Sequence, residues 1–82
     1  MMPFALITGG SKGIGKCIAT ELATRKYPVL LVARDEKSLQ EHATTLSTTY
    51  GVAVHYLALD LGKVGATQIL MNWIESNNYP VG

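Results

Sequence analysis

The sequence predicts an α/β fold in which three parallel strands alternate with helices. Two observations carry this. Short apolar runs recur at 4–8, 28–33 and 52–57, and each is followed by a segment with helical spacing. Glycines also cluster at 9–15, where the first run gives way to the first helical segment. Strand–helix alternation of this length implies right-handed crossovers, and therefore parallel strands.

The elements follow in chain order. Phe4-Ala5-Leu6-Ile7-Thr8 is apolar without alternation, as expected of a strand buried on both faces, and Pro3 stands at its edge, where a missing N–H is harmless. From about Ile14 to Thr24, the residues Ile14, Cys17, Ile18 and Leu22 recur every three or four positions and predict one buried helix face, with Cys17 packed on it. Residues 28–33 predict a second buried strand. Asp35 is placed to cap a helix running to about Tyr50, with Leu39, Ala43, Leu46 and Tyr50 on its apolar face and Gly51 ending it. Residues 52–57 predict a third strand. The last helix spans about Ala66 to Ser76, with Ile69, Leu70, Trp73 and Ile74 as its apolar stripe. Residues 77–82 read as a loop leading toward another strand.

Composition narrows the possible roles. With 82 residues, 48% of them hydrophobic, the chain supports one small globular domain. Its formal net charge of +1 predicts no general attraction to nucleic acid or to an anionic membrane, so any basic site is local. The single cysteine, Cys17, excludes an internal disulfide, and no apolar run approaches the roughly 20 residues needed to span a bilayer. The expectation is a cytoplasmic protein. His42 and His55 have no cysteine or histidine at metal-ligand spacing, so no metal site is predicted.

The segment carrying chemistry is Thr8-Gly9-Gly10-Ser11-Lys12-Gly13-Ile14-Gly15. Glycine is needed where the backbone takes positive φ and where a diphosphate approaches the main chain closely. Free N–H groups and the positive helix end then bind the phosphates. Residues 10–16 also fit the G-x-x-x-x-G-K core of a P-loop. That motif continues with Ser or Thr to ligate magnesium, and here the position is Cys17, a soft thiol ill suited to the ion.

The pattern at 8–15 resembles the T-G-x-x-x-G-x-G fingerprint of the short-chain dehydrogenase/reductase family. Val32-Ala33-Arg34-Asp35 resembles the end of that family's second strand, and Leu59-Asp60-Leu61 the D-[LV] pair after its third. The resemblance runs over the whole chain. It implies a partial Rossmann fold, a three-stranded parallel sheet of order 3-2-1 with flanking helices. Residues 1–82 would be the N-terminal half of a dinucleotide-binding domain, ending before the fourth strand.

The resemblance also implies a cofactor. A site preferring NAD places a carboxylate at the end of the second strand to grip the ribose 2′-OH. By the family pattern that position is Ala33, followed by Arg34, with Lys12 in the glycine loop. Two cations and no acid suit a 2′-phosphate and imply NADP(H). The implied cofactor-binding residues are Gly9, Ser11, Lys12, Gly13, Ile14, Gly15, Arg34, Asp60 and Leu61, with Asp60 on the adenine amino group and Leu61 beside the ring. Other readings stay open: Arg34 and Lys12 as solvated charges, Asp35 turned to the ribose rather than capping, and Asp60 ending a strand or capping a turn.

The family's reaction is hydride transfer between a nicotinamide and a carbonyl or alcohol, with a Y-x-x-x-K pair supplying the acid. The residues four positions before the five lysines are Thr8, Lys12, Leu22, Ala33 and Leu59, so this chain holds no such pair and no catalytic residue is assigned. Two expectations follow. In one, the chain is the cofactor-binding part of a longer NADP(H)-dependent reductase acting on a small carbonyl or alcohol. In the other, it is a non-catalytic nucleotide-binding or interaction module. In either case a first strand lacking its outer neighbour leaves an apolar edge, and a homo-oligomer is expected.

Overall fold

A computed structural model describes residues 3–9 and 13–81. The element order is β1 (Ala5–Thr8), α1 (Gly13–Thr24), β2 (Val29–Ala33), α2 (Glu36–Tyr50), β3 (Val54–Ala58) and α3 (Ala66–Ser76). The strands form one parallel sheet with β2 in the centre, the expected 3-2-1 order. Register places Leu31 between Ile7 and Tyr56, and Leu30 between Leu6 and His55.

Side chains alternate across a strand, so this register defines two faces. On the first, Val29 and Leu31 meet Ala19 and Ala23 of α1 and Leu39, Ala43 and Leu46 of α2, all buried, with Ile7, Val54 and Tyr56 at the margin. On the second, Leu30 and Val32 are fully buried, and Ala66 and Leu70 of α3 are buried too. Trp73 and Tyr79 lie at its lower end, where the Tyr79 ring stacks on His55 at 4.8 Å and contacts Phe4 at 5.2 Å.

Burial corrects three expectations. The inward stripe of α1 is Ala19 and Ala23, whereas Ile14 (79% exposed), Cys17 and Ile18 face outward and Leu22 is half-buried. Short side chains let the helix axis sit close to the sheet, so the large residues of that helix are displaced to its flanks. In α3, Ala66 and Leu70 are buried, while Ile69 is exposed and Trp73 and Ile74 are half-buried. Only β2 is buried along most of its length, at Val29 to Val32, with Ala33 half-buried. β1 is half-buried, because among the described residues its outer edge carries only a bridge from Phe4 to Val81.

That bridge follows from how the helices end. At the end of α3, Tyr79 N–H donates to Ile74 O and Asn78 N–H to Glu75 O, with Asn78 in the left-handed region (φ +55°). This paired-bond ending turns the chain back beneath the sheet, where Phe4 N–H donates to Pro80 O at 2.6 Å. Lys26 ends α1 in the same way at φ +67°, which sequence reading did not anticipate for a residue with a Cβ. The α2 ending was legible: Gly51 has φ +68° and donates to Ser47 O. Gly51→Ala is expected to destabilise the chain by about 1 kcal/mol in urea unfolding, since a Cβ penalises the left-handed conformation whatever space surrounds it.

Candidate functional site

In an open parallel sheet the loops leaving the carboxyl ends of the strands converge, and ligands settle there. Here that end holds a cleft of about 610 Å3 lined by Gly9, Val32, Ala33, Arg34, Asp35, Leu59, Asp60, Leu61 and Gly62. Two backbone bonds shape its floor by carrying the ladder past the strands: Gly9 N–H donates to Val32 O at 2.6 Å, and Leu59 N–H donates to Ala33 O at 2.7 Å. They hold the ends of β1 and β3 against the end of β2.

Gly9 begins the turn at φ +69°, and Gly13 opens α1 at φ +58°. Both angles lie where a side chain is strained, which explains glycine at each. Gly13, Ile14 and Gly15 form the first turn of α1, whose N–H groups have no partner within the helix. Ser11 and Lys12 lie outside the described residues.

Arg34 is exposed on the cleft wall just beyond β2 and makes no hydrogen bond or ion pair with a described residue. Its neighbour Asp35 also lines the cleft but is turned into the first turn of α2. Its Oδ1 accepts from Ser38 N–H at 3.3 Å and its Oδ2 from Ser38 Oγ at 2.8 Å. Asp35 is therefore the helix cap, as its position suggested.

On the opposite wall, half-buried Asp60 accepts from Gly62 N–H through Oδ1 at 2.9 Å, and Lys63 N–H donates to its carbonyl at 3.1 Å. The carboxylate thus fixes the turn that presents Leu61, 40% exposed, beside it. Of the residues singled out from sequence, the cleft gathers Gly9, Arg34, Asp60 and Leu61. Gly13, Ile14 and Gly15 stand at the start of α1 and are not among the lining residues. Val32 and Leu59 entered the sequence reading only as parts of the strand-end landmarks, with no site role, and Gly62 did not enter it. As lining residues they are marked by position at a strand end, which is visible once the sheet is known to be parallel.

Comparison with known proteins places this arrangement. The short chain dehydrogenase family model matches residues 3–81. The chain is 36% identical over 61 residues to very-long-chain 3-oxoacyl-CoA reductase-A of Danio rerio, covering 74% of this chain and 19% of that protein. A short-chain dehydrogenase from Sphingobium yanoikuyae, solved in complex with NADPH, superposes with a TM-score of 0.83 at 37% identity, over 89% of this chain and 29% of that one. L-sorbose reductase from Gluconobacter frateurii, solved with NADPH and L-sorbose, superposes with a TM-score of 0.85 at 33% identity, over 92% and 28%. The chain thus spans about a fifth of the length of that curated relative and under a third of those solved chains. A family match reaching from Pro3 to Val81, on the strand order and cleft described above, means that the chain belongs to the short-chain dehydrogenase family.

Proposed function

We propose that the cleft binds the adenosine half of NADP(H), with Arg34 holding the 2′-phosphate. The observation that carries this reading is the pairing at the end of β2 of a small residue, Ala33, with an exposed cation that has no described partner, while the adjacent carboxylate is engaged in the α2 cap. A guanidinium meets a phosphate through two parallel N–H bonds, and the same charge offers nothing comparable to a 2′-hydroxyl. The cleft volume lies within the roughly 300–1,000 Å3 usual for small-molecule sites. In this reading Asp60 and Leu61 take the adenine amino group and ring. The diphosphate lies along the glycine turn, on Gly9, Ser11, Gly13, Ile14 and Gly15, and Lys12 adds a second cation. NADPH in the related complexes supports the assignment.

When bound, NADP(H) supplies or accepts a hydride; in the whole protein its reaction partner would be a small carbonyl or alcohol. What this chain contributes is binding and orientation. The positive end of α1 and the N–H groups of its first turn hold the negative charge, and the β2 end selects the ribose substituent. Titration calorimetry of the 82-residue chain with 2′,5′-ADP and 5′-AMP tests the reading. Tighter binding of 2′,5′-ADP is expected, and equal affinities would overturn it.

A second reading, self-association through the sheet, draws on the outer edge of β1, which among the described residues carries only the Phe4–Val81 bridge. Ala5 and Gly9 send their N–H groups to β2, so the intervening Leu6 and Thr8 N–H groups point outward. Unpaired apolar edges recruit further strands. Sedimentation velocity is expected to show concentration-dependent association, and a monomer at every concentration would contradict it.

A further inference from the structure

We propose that Ser38 is a positioning residue for nucleotide choice: by holding Asp35 in the α2 cap, it keeps a carboxylate of the cleft wall away from the ribose. This rests on the NADP(H) reading above. Asp35 follows Arg34 directly and lines the same cleft as Ala33 and Asp60. A carboxylate free to turn at that point would accept a hydrogen bond from a ribose 2′-OH and would repel a 2′-phosphate, reversing the effect of Arg34.

The geometry shows what restrains it. Ser38 reaches both carboxylate oxygens, Oδ1 through its backbone N–H at 3.3 Å and Oδ2 through its hydroxyl at 2.8 Å. The backbone bond is available whatever side chain stands at 38. Both bonds go to an ionised acceptor and are of the stronger, charge-assisted kind, and the hydroxyl bond is the shorter of the two. It adds a hold on the second oxygen that the backbone bond does not supply. The cap also places the negative charge against the positive end of α2, where the helix partly compensates it before it reaches a 2′-phosphate.

The test compares the ratio of dissociation constants for 5′-AMP and 2′,5′-ADP among variants. Ser38→Ala is expected to lower that ratio by about 3- to 10-fold, the equivalent of one hydrogen bond. Ser38→Thr, which keeps the hydroxyl, is expected to retain the original ratio, and Ser38→Val, which has the shape of threonine without the hydroxyl, to behave as Ser38→Ala. The Thr and Val pair serves if the alanine variant folds poorly. In an Asp35→Ala background, Ser38→Ala is expected to have no further effect, because its action runs through the carboxylate. An unchanged ratio in Ser38→Ala or Ser38→Val, with the ratio still collapsing in Arg34→Ala, overturns the role of Ser38 and leaves the NADP(H) reading standing. A ratio near one in the unmodified chain, or one that Arg34→Ala leaves unchanged, overturns both.

Discussion

Replacing Arg34 with alanine is expected to weaken binding of 2′,5′-ADP by about 10- to 100-fold, the loss of charge-assisted hydrogen bonds worth roughly 1.5–3 kcal/mol. Binding of 5′-AMP should change little, because nothing in that nucleotide reaches for a guanidinium at the ribose. Arg34 is exposed and its side chain caps no helix and joins no described ion pair, so its removal costs the fold little. Any loss is therefore read as recognition. Arg34→Lys should recover only part of it, since an ammonium keeps the charge but not the planar two-pronged donor set. The selectivity should also fall as salt rises, because an exposed charge pair is screened. Calorimetry with both nucleotides at two ionic strengths checks all three expectations. A uniform loss across the two ligands would mean that Arg34 supports the cleft wall instead of reading the phosphate.

What was legible in advance divides by physical range. Asp35 and Gly51 were assignable because capping is settled within a turn of the residue itself. The burial of β2 was assignable because a central parallel strand is apolar on both faces, as residues 29–32 are. The inward face of α1 was not. Ile14, Cys17, Ile18 and Leu22 have helical spacing, yet Ala19 and Ala23 are the residues packed on the sheet. Periodicity weights large side chains, while close approach of a helix to a sheet selects small ones, and only the packed arrangement shows which prevails. The half-burial of β1 likewise depends on whether a neighbour lies beyond it. At the cleft, the family resemblance named Gly9, Arg34, Asp60 and Leu61, and the fold brings these four together although the loops holding them are distant in sequence. Parallel connectivity guarantees that such loops meet. The link from Ser38 to Asp35 lay outside that reasoning, because capping names the acceptor and not what its carboxylate would do if released.

Leu31→Ala is expected to destabilise the chain by about 2–5 kcal/mol, the usual range for a buried leucine cut to alanine. Leu31 is fully buried in the central strand, flanked in register by Ile7 and Tyr56 and covered by the α1 and α2 residues of the first face. Ala19 and Ala23 cannot extend into the space left behind, and the backbone of β2 is held from both sides, so the cavity should persist instead of collapsing. Against a total stability on the order of 4–12 kcal/mol for a chain of this size, such a loss populates the unfolded state. Leu61→Ala, on the rim of the cleft, removes a side chain already 40% exposed and should cost under about 1 kcal/mol. Urea unfolding followed by circular dichroism separates the two, and comparable losses would contradict the burial pattern. The functional consequence differs in kind from that of Arg34→Ala. Leu31 holds the strand whose end carries Ala33 and Arg34, so its truncation lowers the fraction of chains that present a cleft at all. Apparent affinity then falls by the same factor for both nucleotides, with their ratio intact.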